Sequence, residues 1–189
     1  MLDAITQDTA LFGICGRTCE ENDISVEVCA ALLHGEELDD ELVRILKVDR
    51  YYATAGLAEQ PKSIDCLIVV KCASGAFEST LVELRNVSST KGVPPSVMIE
   101  KFRNTFERFM AQDFGHIFAN PDHSLAGIRA WLVTDPFTLG HLSDEQYRLK
   151  IGTTRLKTIQ SADPFEFRGH RVPVETRRPG PPPPEVCTC

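Results

Sequence analysis

No apolar run in this chain of 189 residues approaches the roughly 20 that a membrane-spanning helix needs, and the amino-terminal stretch has no basic segment leading into a hydrophobic one. The expectation is a soluble, cytoplasmic protein with no membrane partner. Cations are scarce as well, with 20 lysines and arginines against 27 acids for a formal net charge of −7. That balance argues against a strong non-specific nucleic-acid binder, whose affinity comes mostly from cations neutralising phosphates, yet it leaves a nuclease open. No P-loop or GxGxxG turn is present to cradle a phosphate, and the seven Cys and five His fall at no spacing that builds a nucleophilic triad. Paired CxxC motifs are missing too, so Cys15 and Cys19 could complete a four-cysteine zinc site only with Cys187 and Cys189, beyond a proline run. An odd number of cysteines scattered through apolar segments reads as reduced thiols rather than a disulfide framework.

What is present is an ordinary globular composition, 42% hydrophobic, long enough for one domain with a real core. We expect a single domain over residues 1–176 and a flexible, extended Pro-rich tail over 177–189 with polyproline II character. Charge is uneven, because Arg148, Lys150, Arg155, Lys157, Arg168, Arg171, Arg177 and Arg178 outnumber the acids of the same stretch. This basic 148–178 segment and the PxxP tail are the two places where a protein partner could dock.

Taken in order, Ser25 to His34 reads as a short buried helix ended by Gly35, with Glu27 its only acid and a candidate metal contact. Asp39 to Val48 reads as a second helix with Leu42, Ile45 and Leu46 on one face, and Arg50 to Ala55 as a strand. Beyond Pro94 and Pro95, Ser96 is a plausible N-cap for a long helix whose Met98, Phe102, Phe106, Phe109 and Met110 share a core face. Lys101, Arg103 and Arg108 fall off that stripe and read as solvated. Ile128 to Val133 reads as a buried strand crossing over in parallel, Asp144 to about Gln160 as helical, and Phe165 to Val174 as a small hairpin around Gly169.

The stretch from Ile64 to Val87 is the most informative, since two runs of strand formers flank Ala73-Ser74-Gly75 and so signal a β-hairpin. With those three residues as the loop, Cys72 pairs with Ala76 and Asp65 lies opposite Glu83; a two-residue loop would shift the pairing and set Asp65 opposite Leu84. Opposed carboxylates repel, and a divalent cation is the natural compensation, because Mg²⁺ takes one or two carboxylates plus water and phosphate oxygens. Alternation along the strand puts Arg85 on the face of Glu83, beside such an ion. The plainer reading is that both acids mark the exposed ends of two strands.

The order helix, strand, strand with Asp65, strand with Glu83-Leu84-Arg85, long helix and strand resembles the core of the PD-(D/E)xK nuclease-like superfamily over roughly Ser25 to Thr134. The resemblance implies an α/β (α+β) fold, a mixed central sheet with flanking helices arranged as in restriction endonucleases. It also implies a Mg²⁺-dependent phosphodiesterase acting on nucleic acid, with Asp65 and Glu83 holding the metal, Glu27 as an additional helix acid, and Arg85 where the superfamily has Lys. Arg stays cationic at any accessible pH and cannot serve as a general base, although it can stabilise phosphate charge. The alternative expectation is a non-catalytic copy of the same fold that serves as a protein-binding or structural module.

Overall fold

The computed structural model describes residues 1–137 and 142–189. After α1 (Leu2–Gln7) and α2 (Thr9–Phe12) come β1 (Cys15–Gly16), β2 (Cys19–Glu21) and β3 (Ile24–Val28), then β4 (Leu33–His34), β5 (Glu37–Leu38) and β6 (Val43–Lys47). Helix α3 (Val48–Thr54) precedes β7 (Cys66–Lys71) and β8 (Phe77–Arg85), and α4 (Pro95–Asn104) continues into a π-helical segment, Thr105–Asp113. Next are α5 (Gly115–Phe118), β9 (Leu125–Thr134), α6 (Asp144–Ile151) and α7 (Leu156–Gln160). The chain closes with β10 (Phe165–Phe167), β11 (His170–Val172), β12 (Val174–Arg177) and β13 (Glu185–Val186).

The fold is mixed α+β around a six-stranded sheet of order β1-β6-β7-β8-β9-β12. Strands β1, β6, β7 and β8 pair antiparallel, and β8, β9 and β12 pair parallel. Both faces are covered, as apolar residues on both sides of β7 require. On one face, Leu67, Val69, Leu81, Ala130 and Leu132 pack under the helices, against Met98, Phe102, Phe106 and Phe109. On the other, Cys66, Ile68, Val70, Val82 and Trp131 pack under a smaller sheet of order β13-β3-β2 through Ile24, Val26, Leu32 and Val186.

The hairpin has its three-residue loop: Cys66 partners Val82, Lys71 partners Phe77, and the Cys72 N–H donates to the Ala76 carbonyl at 2.8 Å. Gly75, at φ +82°, supplies the left-handed residue that this turn needs. The core stripe of α4 and its continuation is buried from Met98 to Met110, although the helix starts at Pro95 rather than behind Ser96. The Gly169 hairpin forms from β10 and β11, and the expected 144–160 helix divides into α6 and α7.

Three expectations in the first third of the chain are corrected. Ser25 to His34 is not a helix, because Ile24, Val26 and the polar residues between them alternate with a strand period and bury one side of β3. Gly35, at φ +69°, turns the β4–β5 hairpin instead of ending a helix. Asp39 to Val48 and Arg50 to Ala55 exchange types: Val43–Lys47 is a strand between β1 and β7, and Val48–Thr54 is a helix that buries Tyr52. A strand buried on both faces has no alternation, so Leu42, Ile45 and Leu46 matched a helical spacing by coincidence.

The Pro-rich end, expected as a free extended tail, folds back so that β13 runs parallel to β3 with Val186 buried. The cysteines, expected reduced, include two bonded pairs, Cys19–Cys66 and Cys72–Cys189.

Candidate active site

The hairpin register, extended one residue beyond Cys66–Val82, sets Asp65 opposite Glu83, and the Asp65 N–H donates to the Val82 carbonyl at 3.2 Å. Glu83 lies between buried Val82 and Leu84, its own carbon atoms fully enclosed. It partners Leu132 of β9, so its side chain enters the helix-covered core. A lone ionised carboxylate there would carry a heavy desolvation cost, and it is not alone.

Lys101 of α4 donates to Glu83 Oε1 at 2.8 Å and to Oε2 at 2.9 Å, and its Nζ lies 3.8 Å from Asp65 Oδ1. Arg85 adds a second cation, its guanidinium 2.6 Å from Glu83 Oε1. The Leu84 N–H donates to Asp65 Oδ2 at 2.6 Å, locking that carboxylate against the neighbouring strand. Arg85 Nε is buried with no hydrogen-bond partner among the described residues. The two acids and two bases thus form one contiguous charge cluster at the end of the β7–β8 pair.

Asp65 has its carboxyl raised to about 7, first by burial and then by the negative charge of Glu83; Lys101 and the Leu84 N–H pull it back, and Glu21 of β2 adds a smaller upward push. Burial also raises Glu83, against the opposing attraction of Lys101 and Arg85. A buried acid that titrates near neutrality beside a second acid is a frequent mark of functional sites.

Asp65, Glu83 and Arg85 are therefore brought together. Glu27 is not: it stands exposed on β3, paired in register with Glu185, and faces a cavity of about 420 Å³ shared with Glu20, Glu36 and Glu37. Among the described residues, no three His, Cys, Asp or Glu side chains converge as a metal-binding group.

Lys101 is the participant that sequence reasoning missed by assigning it to solvent. A signal was present: Lys101 follows buried Met98 by three residues and precedes buried Thr105 by four, so it borders the core stripe. Thr105 ties the helix to the segment leading into β7, donating to the Lys101 carbonyl at 2.9 Å while accepting from the Ile64 N–H at 3.4 Å.

Comparison with protein-family models, with curated proteins and with solved structures finds no match for this chain.

Proposed function

We propose that the chain is a Mg²⁺-dependent phosphodiesterase acting on nucleic acid, of the PD-(D/E)xK type and with a restriction-endonuclease-like core. The observation that carries this reading is the convergence of Asp65 and Glu83 on one ammonium, Lys101, on the helix-covered face of the sheet. Two carboxylates are a suitable hard-oxygen set for Mg²⁺, which completes its shell with water and phosphate oxygens. When bound, the ion would supply positive charge to the phosphate and a site for the attacking water.

The protein groups have separable parts. Asp65 and Glu83 would hold the ion. Lys101 provides from the helix the ammonium that the superfamily pattern takes from the strand, and Arg85, partly exposed beside Glu83, steadies charge developing on the phosphate. The raised Asp65 carboxyl makes a proton compete with the cation, so Mg²⁺ binding should strengthen as pH rises through about 7.

One observation favours a second reading, a non-catalytic module that binds protein: the two acids are already matched by two bases, and Glu83 is fully enclosed. Calorimetric titration with Mg²⁺ and Mn²⁺, together with cleavage assays on single- and double-stranded DNA and RNA, separates the two. The phosphodiesterase reading expects cation binding and cleavage that Glu83→Gln abolishes. Neither binding nor cleavage by the wild-type protein would leave the second reading standing.

A further inference from the structure

The Pro-rich segment is held on β3 by backbone bonds, the Glu27 N–H donating to the Pro184 carbonyl at 3.0 Å and the Cys29 N–H to the Val186 carbonyl at 2.9 Å. The parallel register pairs Glu185 with Glu27 and Val186 with Val28. Its next step sets Cys187 beside Cys29. Adjacent strands lie about 4.7–4.9 Å apart, inside the roughly 4.4–6.8 Å Cα separation that a disulfide spans. Both thiols are free and partly exposed, and the Cys187 thiol donates to Glu185 Oε2 at 3.5 Å. Two residues further on, Cys189 is already bonded to Cys72 at the hairpin loop.

We propose that Cys29 and Cys187 are a disulfide-forming site that takes a low-molecular-weight disulfide, such as oxidised glutathione, and cross-links the Pro-rich segment to β3. The reaction is thiol–disulfide exchange in two steps. The Cys29 thiolate attacks one sulfur of the donor, forming a mixed disulfide and expelling one thiolate, which takes up the proton Cys29 has lost. Cys187, whose thiol donates to Glu185 Oε2 at 3.5 Å, then gives its proton to solvent and attacks the Cys29 sulfur. That step expels the second small thiol. Two protein thiols are oxidised and one donor disulfide is reduced to two thiols.

The test treats the full chain with oxidised glutathione, alkylates the remaining thiols, cleaves at glutamate without reduction and reads the fragments by mass spectrometry. Cleavage after Glu27, Glu36 and Glu185 isolates Cys29 from Cys19 and releases the last four residues as one fragment. The expected result is a Cys29–Cys187 link, with free thiols falling from three to the single Cys15. A Cys72→Ser, Cys189→Ser double variant should form the same link, which shows that it needs no help from the neighbouring bond. Alkylation of both Cys29 and Cys187, glutathione retained separately on each, or Cys187 linked to Cys72 or Cys15 would overturn the proposal.

Discussion

The two faces of the central sheet are built by the same strands and differ in what they enclose. Beneath β13-β3-β2 the buried residues are Ile, Val, Leu, Trp and Cys with the neutral Thr80, whereas beneath the helices Glu83 lies among Leu81, Leu132 and the Phe-rich stripe of α4. On the face under the smaller sheet the Glu78–Arg129 pair is only partly buried, so the strands cohere there without a fully enclosed charge. The cluster on the other face is therefore an addition that stability does not demand, since a buried ion pair seldom outperforms a hydrophobic replacement of similar volume. Its position at the ends of β7 and β8, with Arg85 reaching solvent, suits a site better than a core.

The contrast is broken most forcefully at Lys101. Lys101→Met leaves Glu83 enclosed with only Arg85 beside it, and should cost about 3–5 kcal/mol of unfolding free energy in chemical denaturation. Combining it with Glu83→Gln should restore most of that loss, because the fully enclosed carboxylate that Lys101 compensates is then neutral. A loss below about 1 kcal/mol for the single variant would show that water already screens the cluster.

On the face under the smaller sheet, Ile68→Ala should cost about 2–5 kcal/mol by removing buried methyl groups and opening a cavity. Unlike the Lys101 effect, it should not be relieved by any change at Glu83, since the two positions lie on opposite faces.

Asp65 gives the helix-covered face a pH dependence. Asp65 titrates near 7 in the folded chain and near 4 when unfolded, so the folded state retains a proton that the unfolded state has released between those values. This contribution to stability is complete below about pH 4 and is lost as pH rises through about 7. Asp65→Asn should flatten that slope in denaturation curves measured from pH 4 to pH 8. An unchanged slope would place the titrating group elsewhere.

The smallest effect belongs to the exposed Lys62–Glu100 pair, 2.8 Å apart on the surface of α4. Glu100→Gln should change stability by less than about 1 kcal/mol and fade further in salt, against the several kcal/mol expected for the enclosed pair one residue away.

How much of this was legible in the sequence depends on where each element finds its partners. The β7–β8 hairpin is local: a Gly-containing loop and flanking strand formers specify it, and the position of Asp65 relative to Glu83 follows from counting. The phenylalanine stripe of α4 is legible for the same reason, its period being complete within one segment. Strand β6 was not legible, because both its faces are covered by chain distant in sequence and its five residues show no alternation. Strand β3 depends on β2 and on β13, more than 150 residues away, for its pairing, and assigning it to a helix carried Glu27 into a site it does not join. Lys101 meets Glu83, 18 residues away, through the packing of α4 across the sheet; the helical period places Lys101 at the border of the core but does not specify that partner.

The short loop at Gly75 has a kinetic consequence. Closing it aligns β7 with β8 using neighbouring residues alone, whereas β8 reaches β9 and β9 reaches β12 across roughly 40-residue excursions that close more slowly. If the hairpin forms first, Asp65 and Glu83 meet before α4 delivers Lys101, and their repulsion opposes the earliest ordered species. Glu83→Gln should then accelerate folding even where it weakens the native state, a result that stopped-flow refolding read alongside equilibrium unfolding would reveal.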